Sequence, residues 1–143
     1  MPMNLIPLSP VNQFQAAHLA WNIARSTLER YSSHMCKWED ASVQERTEYL
    51  NTIYRFTKDP DLSVEDAHSQ ISAGVLSLGY SRGQLDFSAR THPHACTWDL
   101  LDPISVTKLI AAQHIVRCLT DSAKYFEEEK LRATHPRTDQ ATN

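Results

Sequence analysis

Four stretches of this sequence repeat apolar residues at three- and four-residue steps, and each carries a recognisable helix start or stop signal. A chain patterned this way has to bury helical stripes against one another. The first stretch covers residues 11–34, with Phe14, Ala17, Trp21, Ala24, Leu28 and Tyr31 on one stripe and Pro10 just ahead of it. The second begins at Ser42, which has the capping-box spacing to Glu45, and presents Val43, Leu50, Ile53 and Tyr54. It stops at the run Lys58, Asp59, Pro60, Asp61, because proline cannot continue a helix and disfavours helical backbone before it. Ser63 and Asp66 repeat the capping spacing for the third, whose stripe is Val64, Ala67, Ile71, Val75 and Leu78 and whose stop is Gly79. The fourth is capped by Asp102, starts at Pro103, and carries Val106, Leu109, Ile110, Val116, Leu119, Ala123 and Phe126.

The pattern predicts a mainly α fold: a compact single-domain bundle of about four helices, with a long ordered loop packed against it. Residues 1–10 read as an N-terminal extension, 11–131 as the helical domain and 132–143 as a disordered tail, because "EEEKLRATHPRTDQATN" offers almost nothing to bury. A length of 143 residues suits one core. The net charge of -3 gives no whole-chain attraction to a nucleic-acid polymer or an anionic membrane, so an anionic ligand has to be caught by local basic groups. The start "MPMNLIPLSPVNQF" has neither the basic residues nor the apolar run of a signal peptide or membrane span. Cys36, Cys96 and Cys118 are irregularly spaced and read as three free thiols. Together these features predict a cytoplasmic protein.

The irregular element is residues 79–101, "GYSRGQLDFSARTHPHACTWDLL". A connection of this length in a small domain is usually functional or disordered, and its composition argues against disorder. Tyr80, Leu85, Phe87 and Trp98 are costly to leave in water, so the loop should fold back onto the helices, with Gly79 and Gly83 allowing the tight turns this needs.

Within the loop stand Gly79-Tyr80, Gly83, Asp86, Arg90, His92-Pro93, Trp98-Asp99 and Leu101; upstream stand Trp38-Glu39-Asp40-Ala41, Asp59-Pro60 and Ala67-His68. In order and spacing these residues resemble the ryanodine receptor repeat, the RyR domain, in its short bacterial and phage forms, over most of residues 17–119. The chain departs from that family at Tyr80, where Trp is usual, at Arg82, where Tyr is usual, at His94-Ala95-Cys96 in place of a Cys-Leu-Val run, and at Leu109 in place of an acid. The resemblance implies a helical module with its extended loop packed on the bundle, no catalytic machinery and no cofactor. It also implies a nucleotide-derived signalling molecule as ligand, of the cyclic or ADP-ribose-derived type. A free-standing module would then act as a sensor or as a phage-encoded sponge that sequesters a bacterial antiviral signal in the host cytoplasm.

A nucleotide needs a flat face for its base and donors for its phosphates. Tyr80 and Trp98, or Trp38 from the first segment, can supply the face, and Arg82 and Arg90 the bidentate donors. His92 can add a further donor, and Arg25, one turn after Trp21, can face the same cavity. Each has a structural alternative. Trp21 lies on the apolar stripe and reads as core, while Trp38 and Trp98 read as core or platform. Arg90 can instead pair with Asp86 or cap helix carbonyls, and His92 can serve loop carbonyls.

Three other function classes bear on the same residues. His92, His94 and Cys96, or His34 and Cys36, are zinc-ligand types, but their spacing is not that of a structural zinc site, so no metal is expected. His92 and His94 could act as acid and base in a phosphodiesterase, although no phosphate-cradling glycine loop, nucleophile elbow or HExxH motif is present. A protein-interaction module is the third, since the fourth stripe is wide enough for an internal face and a contact with a second copy; a homo-oligomer would also suit a small sponge whose pockets are shared between subunits.

Overall fold

The computed structural model describes residues 10–30 and 34–134. Four helices pack together: α1 (Pro10–Glu29), α2 (Val43–Lys58), α3 (Val64–Ser77) and α4 (Pro103–Thr134). Turns of 3-10 helix at Trp38–Asp40 and Trp98–Leu100 flank α2 and α4, and two short strands, β1 (Ser81–Arg82) and β2 (Thr91–His92), lie in the connection between α3 and α4. The α1–α4 contact is the most extensive in the molecule. Small residues make it close: Ala16, Ala17, Ala20 and Ala24 of α1 and Ala111 and Ala112 of α4 are all buried.

Pro10 is the first residue of α1, where its missing N–H costs nothing. The helix closes at Glu29 rather than at the expected 34, and Tyr31 lies outside the described residues. The chain then doubles back along α1, where the Trp21 indole donates to the Cys36 carbonyl (2.8 Å) and Arg25 Nε to the Met35 carbonyl (3.2 Å). Trp38 follows into the core, stacked on His18 and edge-on to Phe14 and Trp21.

The α2 start is the expected capping box: Ser42 Oγ accepts from the Glu45 N–H, and the Glu45 carboxylate accepts from the Ser42 N–H. Its buried line, however, runs through Tyr49, Thr52, Ile53 and Phe56. Val43 and Tyr54, expected on that face, are 80% and 54% exposed. Tyr54 is turned about 100° around the helix from Ile53, and the large rings of Tyr49 and Phe56 decide which side faces inward.

Ser63 caps α3 by accepting from the Asp66 N–H (3.0 Å). Gly79 ends the helix at φ 83, with Tyr80 N–H bonded to the Val75 carbonyl and Gly79 N–H to the Leu76 carbonyl, the paired bonds of a Schellman cap. Leu78, placed on the sequence stripe, is exposed. Asp102 caps α4, its carboxylate accepting from both the N–H and the hydroxyl of Ser105. Residues 132–134 are still helical, and 135–143 of the expected tail lie outside the described residues. Among the described residues no helix is long and apolar enough to cross a membrane. Cys36, Cys96 and Cys118 are free.

Candidate functional site

The connection between α3 and α4 folds into a plate on the bundle. Ser81 pairs with Thr91 and Arg82 with His92 in a parallel register, and Asp86 bridges back to Thr91. Such a short return needs a sharp reversal. Asp86 Oδ1 supplies it by accepting from the N–H groups of Ser88 and Ala89, followed by Arg90 in the left-handed region at φ 56. Gly83 sits in close approach, since a Cβ there would lie 3.1 Å from Thr91 Cβ and the Thr91 side chain would have to give way. Gln44 of α2 accepts from the Phe87 N–H, and Glu48 of α2 receives His92.

Between this plate, α2 and the first turns of α4 lies a cleft of about 550 Å³. Its charged lining is Glu45, Glu48, Asp102, Arg82 and Lys108, with His92 and His94 on the loop side. Each carboxylate has a protein partner: Glu45 holds the Ser42 cap, Asp102 holds Ser105, and Glu48 Oε1 receives His92 Nε2 at 2.9 Å. Lys108 differs. Its ammonium lies 4.4 Å from the Trp21 ring centre and 5.3 Å from that of Tyr49, and it makes no hydrogen bond or ion pair with any described residue. Burial pushes its pKa down, opposed by the neighbouring Glu45, Glu48 and Asp102. The Tyr49 hydroxyl donates to the Lys108 carbonyl (2.8 Å), fixing α2 to α4 beneath the cleft.

The three loop-side and α3 histidines form a chain whose tautomers follow from their partners. His92 Nδ1 accepts from the His94 backbone N–H (3.0 Å), so in the neutral ring Nε2 carries the proton and donates it to Glu48. His68 Nε2 faces the Cys96 carbonyl at 2.8 Å, which can only accept. Nε2 therefore donates, and His68 Nδ1 is left to accept from His94 Nδ1, also at 2.8 Å. His94 is held neutral. Burial first, then the neighbouring His92 and His68, pushes its pKa down to about 3.

The residues expected from sequence to form a site are not all brought together. Arg82 and His92 line the cleft. Arg82 also donates to the Leu100 carbonyl (2.6 Å), while both ring nitrogens of His92 are occupied within the protein. Arg90 donates to the Leu78 carbonyl (3.1 Å) and so caps α3, the structural alternative open to it. Tyr80 stands outside the lining, edge-on to His92, and Trp98 packs on His68. Trp38 is buried in the core, and Arg25 ties down residue 35 and pairs with Glu29. Glu48, Lys108 and His94 also line the cleft, and none of them stands out in the sequence as a ligand-binding group; the one local signal is a lysine next to the apolar Leu109 in the fourth stripe.

A second depression, of about 760 Å³, lies between α2 and α3, lined by Tyr54, Arg55, Lys58, Gln70 and Leu78, and contains no part of the loop. Among the described residues no group of three or more His, Cys, Asp or Glu is arranged to hold a metal ion. A comparison with known protein families, with curated proteins and with solved structures finds no match.

Proposed function

We propose that the protein binds a small anionic ligand, a nucleotide-derived signalling molecule of the cyclic or ADP-ribose-derived type, in the cleft between α2, α4 and the loop, and releases it unchanged. The observation that carries this reading is the imbalance of partners among the charges. The carboxylates are engaged by caps and by His92, whereas the half-buried Lys108 ammonium lies against two aromatic rings and makes no direct hydrogen bond or ion pair among the described residues, Glu45, Glu48 and Asp102 acting on it only at longer range. A ligand phosphate would supply a direct ion-pair partner for Lys108, and the free donors of Arg82 would supply a second contact. The cleft volume falls within the range usual for small-ligand sites. The sequence resemblance to short RyR modules supports a sponge or sensor role for such binding.

The test is calorimetric and thermal-shift titration of the purified protein against adenine-derived cyclic nucleotides and ADP-ribose derivatives, followed by heat release and chromatography of the bound fraction. One member should bind tightly and be recovered intact. Recovery of a cleaved product would replace the sponge with a phosphodiesterase. Silence across the panel in folded protein would remove the nucleotide reading and favour a protein-interaction module, for which the exposed Tyr125 and Phe126 on α4 speak.

A further inference from the structure

We infer that the hydrogen-bond chain from the Cys96 carbonyl through His68 to His94 makes His94 Nε2 an acceptor in the cleft, so that the ligand must present an N–H or O–H donor there as well as an anionic group to Lys108. This deepens the nucleotide reading and rests on it.

The direction of the chain leaves no freedom in neutral rings. A carbonyl cannot donate, so His68 must give its proton to Cys96, and the Ser72 hydroxyl donates to the same oxygen (3.2 Å). His68 can then only accept through Nδ1, and His94 must give its proton there. His94 Nε2 therefore keeps a lone pair, with no partner among the described residues, on a side chain that lines the cleft. Lys108, on the α4 side, can only donate. Lys108 thus offers the cleft only donors, and His94 offers it an acceptor. A ligand amino or hydroxyl group satisfies His94, whereas an oxo or ether oxygen facing it would bring two lone pairs together. His68 is a positioning residue in this account: it is 1% exposed and touches the ligand only through His94.

The test uses the full chain labelled with nitrogen-15 at histidine, with adenosine monophosphate and ADP-ribose as probes. In the ligand-free protein His94 should show a protonated Nδ1 and an unprotonated Nε2, and a saturating probe should move the Nε2 resonance toward the hydrogen-bonded position. His68→Phe removes the acceptor of the chain, so the His94 tautomers should mix and probe affinity should fall about tenfold, the effect of one hydrogen bond. A protonated His94 Nε2 in the ligand-free wild type, which needs no variant to fold, overturns this inference alone. So does an Nε2 resonance that a saturating probe leaves unmoved. Absence of any cleft perturbation by either probe overturns the nucleotide reading and, with it, the ligand class assigned here.

Discussion

Lys108 is the residue on which the cleft turns. Its ammonium lies over the Trp21 and Tyr49 rings, which come from α1 and α2, so methionine at this position keeps an unbranched side chain there and removes the charge. Lys108→Met should weaken anionic-ligand binding by about ten- to a hundredfold, the range of a hydrogen bond to a charged group, without lowering the melting temperature. In the wild type, burial lowers the Lys108 pKa, so ligand affinity should fall as pH rises through a range below that of an ordinary lysine, and this alkaline limb should vanish in the variant. His94 carries a second prediction. Its folded pKa is depressed from 6.5 to about 3, so below 6.5 the unfolded chain binds a proton that the folded chain refuses. Stability from this group is complete above pH 6.5 and is lost as pH falls toward 3, with a slope of at most about 1.4 kcal/mol per pH unit. Denaturant titrations across that window should show the slope in the wild type and lose it in His94→Phe. Neither role was legible in the sequence. Lys108 stands among polar and apolar neighbours alike, and His94 depends on His68, which is 26 positions away along the chain.

At the scale of elements, the glycines separate three different requirements. Gly79 closes α3 at positive φ with room for a methyl group, because the nearest atom to an added Cβ is Arg90 Nη1 at 3.7 Å. Gly79→Ala should therefore cost only the backbone term, about 1–2 kcal/mol. Gly83 is confined by the Thr91 side chain, so Gly83→Ala should push the β1 and β2 segments apart and reduce ligand binding along with stability. Gly74 lies within α3 with nothing within 4 Å of an added Cβ, and Gly74→Ala should raise stability by about 0.5–1 kcal/mol. Chemical denaturation of the three variants checks the order. The helix starts were readable because a cap is a local event: Ser42, Ser63 and Asp102 each bond to a group three residues away. The loop's internal bonds were not, since Ser81 meets Thr91 only after the Asp86 turn and the left-handed Arg90 have reversed the chain. Arg90 itself serves the α3 terminus, a job its residue type allows as readily as phosphate binding.

For the whole molecule, apolar periodicity was enough to predict several helices around one core, and less informative about which part of each stripe is covered. α4 has 32 residues and α1 has 20, a difference of roughly 18 Å at the helical rise, so α4 runs on past its main partner. Phe126 shares the stripe of Leu109 and Val116 yet is 70% exposed, because no neighbouring helix reaches that far among the described residues. The cleft lies at the other end of α4, where α2, α4 and the loop meet, and its lining draws on residues from 45 to 109. No single stretch of sequence carries it. Mapping backbone amide shifts during titration with the tightest-binding adenine nucleotide tests the account most directly. The account predicts perturbations concentrated at residues 82–85, 92–94 and 104–108, and their loss in Lys108→Met. Perturbations centred on Arg55 and Gln70 in the α2–α3 depression, with the loop and the start of α4 silent, would contradict it.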